Sequence, residues 1–346
     1  MTDLDWKRAD APADVIQALQ AHRLLPVAGL LAGRGLLRSD LAPLADQLAA
    51  RSGDEERRRV VIEDEVLAAI GGAGIDVLVL KGALLARTVY RAPEARIRSD
   101  IDLLVAAECV DAAYSALRSI GFAPSYEVHG GPPMTQAQWI RRGDSPVHAV
   151  DLHWDLSNRP LLKDRFRFDA LLGRSTALPG HALPVAGLCA GDALLHACTH
   201  YFGHHRGEFR PDQWLLDMDL LWCDLDEGDD DEIAEVALSM GVGSLLAEGM
   251  RLSAERFDTP VPGAWLEALQ TESRRERTRR LVRPSGLRLF EIFRSASEEK
   301  GMRATLRNLR GTFFPPAAYM YRKYPGRSKW ALPWLYVKRM VDSLVG

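Results

Sequence analysis

The chain has few cysteines, no long apolar run and almost no net charge, and each shortage excludes something. Its four cysteines in 346 residues, Cys109, Cys189, Cys198 and Cys223, fall without a CxxC pair. That spacing argues against a disulfide framework and against a zinc ribbon, and it suits reduced, partly buried thiols in a cytoplasmic protein. No run of about 18 apolar residues occurs, so no membrane span is expected. The opening residues MTDLDWKRADAP lack the basic-then-apolar order of a signal peptide. With 47% hydrophobic and 26% charged residues, the balance is that of an ordinary globular protein. No internal repeat or low-complexity tract is visible.

The net charge of −3 hides an uneven distribution. Residues 251–346 hold 20 Lys/Arg against 9 Asp/Glu, which leaves 24 against 38 for residues 1–250. The first part therefore carries −14 and the last part +11. A basic C-terminal third attracts phosphates, of a nucleotide or of a larger anionic partner. A solvated helical face docked on an acidic neighbour accounts for it equally well. The same third carries Phe313, Phe314, Tyr319, Tyr321, Tyr324, Trp330, Trp334 and Tyr336 interleaved with Arg and Lys. This reads first as an amphipathic packing element and second as a surface for stacking bases.

Residues 10–50 are Ala- and Leu-rich at helical spacing and predict two or three helices, broken near Pro26 and Gly33. A longer helix is expected over 54–72, stopped by Gly71-Gly72. Asp76-Val-Leu-Val-Leu80 is a short apolar run between glycines and predicts a buried strand, with a helix from Gly82 to Tyr90 after it. Further strands are expected at 100–105 and 148–154, with a helix at 108–120 between them. Residues 127–146, with Gly130, Gly131, Pro132 and Pro133, suggest an irregular hairpin or loop. Beyond about 185 the pattern is helical, and the acidic cluster 224–232 suggests a turn. The organisation expected is a helical N-terminal region (1–72), a mixed α/β core (73–183) and a helical C-terminal region (184–346).

The chemistry concentrates in that core. Alternation along a strand puts Asp100 and Asp102 on one face, about 7 Å apart at Cα, with Ile101 and Leu103 turned to the core. Two such carboxylates hold a hard cation, and Mg²⁺ (or Mn²⁺) favours one or two of them plus water and phosphate oxygens. Asp151, in the middle of an apolar strand where an unpaired carboxylate is costly, is the natural third ligand and permits a two-metal arrangement. Lys81-Gly82 stands at a strand-to-helix junction. There a glycine lets backbone N–H groups reach a triphosphate, the helix N-terminus favours an anion, and Lys81 adds a point charge. Taken alone, these residues indicate a metal and phosphate site.

The run Leu80-Lys-Gly-Ala-Leu-Leu, then Tyr90, Arg98-Ser-Asp-Ile-Asp-Leu-Leu-Val and Val150-Asp-Leu-His-Trp resembles the bacterial nucleotidyltransferases of the DNA polymerase β superfamily. The likeness is to their branch of "nucleotidyltransferase family proteins" and covers residues 75–156. Leu194-Leu-His-Ala-Cys-Thr-His200 and Trp214-Leu-Leu-Asp217 resemble that branch's helical region less specifically. The superfamily places a glycine followed by Gly or Ser after its first strand. Here the pair is Gly82-Ala83, preceded by Lys81, so a hydroxyl is lost and the phosphate contact falls to backbone amides and Lys81. The resemblance implies a polymerase β-like core and NTP as substrate. It also implies transfer of a nucleoside monophosphate to a hydroxyl or phosphate of an acceptor, and leaves open a small molecule, peptide, protein or tRNA in that place. A non-catalytic nucleotide- or RNA-binding module that kept the fold is the alternative, and intact Asp100, Asp102 and Asp151 speak against it.

Other residues carry competing readings. Arg98, two before Asp100, is placed to contact a phosphate or clamp the carboxylates, or else to form a salt bridge with Asp100. His153 shares a face with Asp151 and either orients it, touches the acceptor or is a satisfied histidine at a strand end. Glu63, Asp64 and Glu65 read as a solvated helix face. His196, His200 and His204 recur every four residues, but HExxH is absent. Packing on the core, with one histidine at the acceptor site, is preferred to zinc. Asp217 or Asp219 is expected to brace that region.

Overall fold

Apolar periodicity builds the N-terminal segment from short helices, α1 (Pro12–Ala21), α2 (Ala28–Gly33) and α3 (Ala42–Ala49), with Pro26 in a single 3-10 turn between the first two. They bury Val15, Leu19, Leu24 and Leu31 in one core. The long helix α4 (Ser52–Gly72) follows and runs out two residues before Gly74, whose φ of +75° only glycine adopts without strain. The structure is a computed structural model that describes residues 5–49, 52–125, 135–143, 148–181, 184–203, 209–282, 297, 301–315, 317–324, 326 and 328–345.

The sheet is mixed and seven-stranded. Its strands are β1 (Val77–Val79), β2 (Ile101–Val105), β3 (Ala123–Pro124), β4 (Gln136–Arg141), β5 (His148–His153), β6 (Thr176–Ala177) and β7 (Ala186–Gly187), in the order β3-β4-β5-β2-β1-β7-β6. Helix α5 (Lys81–Thr88) leaves directly from β1, α6 (Val110–Ser119) follows β2, and the short α7 (Phe168–Gly173) lies between β5 and β6. The central strands are apolar because both faces are covered, and every residue of β2 is buried. β2 pairs antiparallel with β1 and parallel with β5, in a register that sets Asp102 opposite Asp151.

Beyond β7, α8 (Ala190–Gly203), α9 (Gln213–Cys223), α10 (Asp229–Ser239), α11 (Gly243–Phe257) and α12 (Gly263–Glu272) form a helical layer. The N-terminal segment is fastened to it: Trp6 donates to Asp212 at 2.8 Å, and Arg256 reaches both Asp212 and Asp5. Among the described residues no single helix is long and apolar enough to cross a membrane.

Three expectations change. Part of the segment 127–146, expected as an irregular hairpin or loop, is a regular strand, β4, which pairs antiparallel with all six residues of β5. Its polar sequence, Gln-Ala-Gln-Trp-Ile-Arg, buries only Trp139, so hydropathy gave no strand signal. The acidic cluster at 224–232 is only partly a turn. Asp229, Asp230, Asp231 and Glu232 form the first turn of α10, where carboxylates favour the helix dipole. Glu63 does not lie on a solvated face. It is fully buried and pairs with Arg98 and His181, while Asp64 takes the other ring nitrogen of His181 at 2.7 Å. Glu65 is the outward one of the three and meets Arg141 at 2.8 Å.

Candidate active site

Because β2 and β5 run parallel in register, Asp102 and Asp151 lie side by side on the same face of the sheet. Alternation along β5 puts His153 on that face too. The ligand atoms of Asp102, Asp151 and His153 all lie within 4.8 Å of one another, the one such group among the described residues. Asp100 sits one residue before β2 and lines the same cleft. The cleft has a volume of about 340 Å³. Lys81, Gly82, Asp100, Asp102 and Asp151 lie on the sheet side, and His196, His200, Trp214 and Asp217 of α8 and α9 lie opposite.

Lys81 reaches across from the start of α5 and places Nζ 2.6 Å from Oδ1 of Asp102. Its φ of +47° is in the left-handed region, a strained conformation for a lysine and a mark of functional sites. His153 Nε2 is 2.9 Å from the same Asp102 oxygen. Burial alone would raise the pKa of Asp102, but the Lys81 charge and the His153 hydrogen bond hold it far below the usual carboxylate range. Asp151 is in the opposite condition. Burial and the charges of Asp102 and Asp100 push it up to about 6, and its Oδ1 is buried with no hydrogen-bond partner. Asp100 is raised as well, by burial and by Asp102. The ring of His153 is fully buried, which with Lys81 lowers its pKa, and its Nδ1 has no partner.

Three carboxylates converging beside one lysine is a cluster whose mutual repulsion is only partly relieved. An orphaned buried carboxylate oxygen and a like-charge group of this kind are what a hard divalent cation satisfies. The residue types fit such an ion, and the Lys81 ammonium stands where one positive charge is already required.

The remaining predicted residues divide. Arg98 does not face Asp100. Its guanidinium turns to α4, donating to Glu56 Oε1 at 2.6 Å and to Glu63. Gly82 explains how it gets there, since a Cβ on this glycine would lie 3.0 Å from Cβ of Arg98. The glycine therefore admits a buried arginine, whatever else approaches its backbone. Ala83 is buried with its methyl in the core, so only its backbone is available to a ligand. His153 touches Asp102 rather than Asp151. His196 and His200 line the cleft, and His204 lies outside the described residues. Asp217 braces the wall as expected, accepting from Arg96 Nε at 2.7 Å and Tyr90 at 2.7 Å. Asp219 accepts from Thr259 and Arg34.

Sequence reasoning missed four participants. Glu56 and Glu63 are seven residues apart, in line with buried Ile70, so helical spacing alone marked them as inward. Arg96, fully buried against Asp217 and Gln213, had no such signal, and neither had Arg23, which follows α1 and lines the cleft.

The solved structure of the antibiotic-resistance factor ANT(2'')-Ia shares 13% identity with this chain, at a TM-score of 0.38, over 58% of this chain and 97% of that one. A likeness this distant carries no weight for function. Among curated proteins no match is found. The family described as "Uncharacterised nucleotidyltransferase" matches residues 9–258, from the first helix through the sheet to α11, and the chain belongs to that nucleotidyltransferase family.

Proposed function

We propose that this nucleotidyltransferase carries a polymerase β-type centre. It moves a nucleoside monophosphate from an NTP to a hydroxyl or phosphate of an acceptor, with release of pyrophosphate. The observation that carries the reading is the in-register pair Asp102 and Asp151, joined by Asp100 at the edge of one cleft, with an oxygen of Asp151 left unsatisfied. Asp100, Asp102 and Asp151 would hold Mg²⁺ or Mn²⁺, and a bound ion supplies charge neutralisation at the phosphates and activation of the attacking oxygen.

The chain's own groups divide the remaining work. Asp102 stays ionised because Lys81 and His153 stabilise its charge. Lys81 supplies positive charge at the mouth of α5, whose first N–H groups have no partners within the helix and suit an anion. His153 fixes the orientation of Asp102 from behind. Asp151, with its raised proton affinity, is suited to accept the acceptor hydroxyl's proton or to complete the ion's ligand set. Arg98 serves by positioning, since it ties the segment before β2 to α4.

The test is binding and turnover of each radiolabelled NTP with and without Mg²⁺, in the wild type and in Asp102→Asn. Metal-dependent pyrophosphate release that disappears in the variant supports the reading and names the base. A folded wild type that binds no NTP sinks it.

A further inference from the structure

We propose that Arg23, brought into the cleft by the N-terminal helical segment, is a binding residue for a phosphate oxyanion. Whose phosphate it takes rests on the transfer reading above, but the anion site itself rests on geometry alone.

Arg23 follows α1 with a φ of +60°, in the left-handed region that costs a side-chain-bearing residue conformational energy. Its neighbours hold it there. His22 is buried, accepts the Asp212 N–H on Nδ1 at 3.1 Å and meets the Phe209 ring at 4.9 Å; Leu24 is completely buried. The arginine between them is half-buried and lines the cleft. Among the described residues its side chain has no hydrogen bond and no ion pair. Arg96, Arg98, Arg174 and Arg256, by contrast, each lie on a carboxylate.

The surroundings make this omission costly. Burial and the nearby Arg96 charge both disfavour the charged guanidinium, while Asp100 and Asp217 attract it without pairing with it. Asp217 already spends its oxygens on Arg96 and Tyr90. Asp100 is committed, on the reading above, to the metal ion. A strained, partly desolvated cation beside a second cation is therefore held in place with no acceptor of its own. A planar guanidinium fork matches a phosphate bidentately, and the cleft it faces is the one with the carboxylates and the Lys81 ammonium. The N-terminal segment thereby completes the cleft rather than merely packing on it, and the family match begins at residue 9, ahead of this segment.

The test compares the full chain with Arg23→Gln, Arg23→Lys and Arg23→Gly, using three probes: ATP with Mg²⁺, tripolyphosphate with Mg²⁺, and inorganic phosphate in EDTA. Arg23→Gln should weaken binding of at least one probe by about 10- to 100-fold, as loss of a charged hydrogen-bonding partner does. Arg23→Lys should recover part of it. The melting temperatures of the Gln and Gly variants should stay within about 3 °C of wild type or rise, because no hydrogen bond or ion pair is lost and glycine relieves the backbone. Loss with both ATP and tripolyphosphate identifies the nucleotide's own tail as the anion, and loss with inorganic phosphate alone points to an acceptor phosphate. If the wild type binds phosphate through Arg23 but never ATP, the nucleotide reading fails and the anion site stands. Wild-type affinity of Arg23→Gln for every probe overturns the proposal. So does a drop of many degrees in the Gln and Gly variants, which would make Arg23 a structural bracket.

Discussion

The two sides of the segment leading into β2 handle buried charge in opposite ways. On one side Arg98 meets Glu56 and Glu63, and Arg96 meets Asp217, Gln213 and Tyr90. The two arginines are buried with carboxylates on their forks, and these clusters fasten α4 and α9 to the sheet. On the other side, beginning two residues after Arg98, Asp100 and Asp102 crowd with Asp151 of the neighbouring strand, with one lysine and one histidine among them. One oxygen of Asp151 has no partner. Buried charge that is paired within the protein is architecture, whereas buried charge left short of partners is held ready for something the protein does not itself contain. Arg23 belongs with the second kind.

Substitutions should separate the two. The largest effect is expected from Arg98→Met. It takes the shared buried cation from Glu56 and Glu63, leaving them to Arg59, Arg87 and His181, and should cost about 3–5 kcal/mol of stability, read as a shifted urea midpoint. Asp151→Asn should do the reverse. Removing a repelled charge keeps the melting temperature or raises it, while nucleotide transfer falls on the order of 10²- to 10³-fold in single-turnover assays. Equal destabilisation by the two variants would erase the distinction.

A smaller effect is expected from Gly82→Ala, about 1–3 kcal/mol, because the added methyl would overlap Arg98 Cβ at 3.0 Å and disturb the paired side first. Thermal unfolding measures it, and the Glu56–Arg98 pair should be the contact that loosens.

The most gradual difference is in pH. Burial alone would raise the pKa of Glu63, but the hydrogen bond from His181 and the charge of Arg98 hold it below its ordinary 4.5. Its contribution to stability is therefore full above about pH 4.5 and lost as pH falls through the lower folded value. Urea midpoints from pH 7 down to 3 should decline below that point, and less steeply in Glu63→Gln. An unchanged slope in the variant would take Glu63 out of the paired cluster's energetics.

How far each feature could be read from the chain follows from the range over which its signal acts. β1, β2 and β5 are apolar runs whose burial is written in consecutive residues, and the Asp100/Asp102 spacing and Lys81-Gly82 junction are equally local. β4 is not legible as a strand because its pairing with β5 is made by backbone groups that any sequence supplies. The inward face of Glu56 and Glu63 was legible as a seven-residue spacing ending at Ile70, yet a run of charged residues looks solvated until their partner is known.

The amino-acid sequence by itself determined the secondary structure around the site, the three carboxylates and the lysine, because strand alternation and helix starts are short-range consequences of residue type. Only the tertiary structure decided which charges meet. The β2–β5 register set Asp102 against Asp151. The close passage at Gly82 sent Arg98 to α4 instead of to the acids. The turn after α1 left Arg23 facing the cleft, 77 residues before Asp100. Coulomb interactions depend on distances in space and on burial, and neither is set until the helices and the sheet have packed.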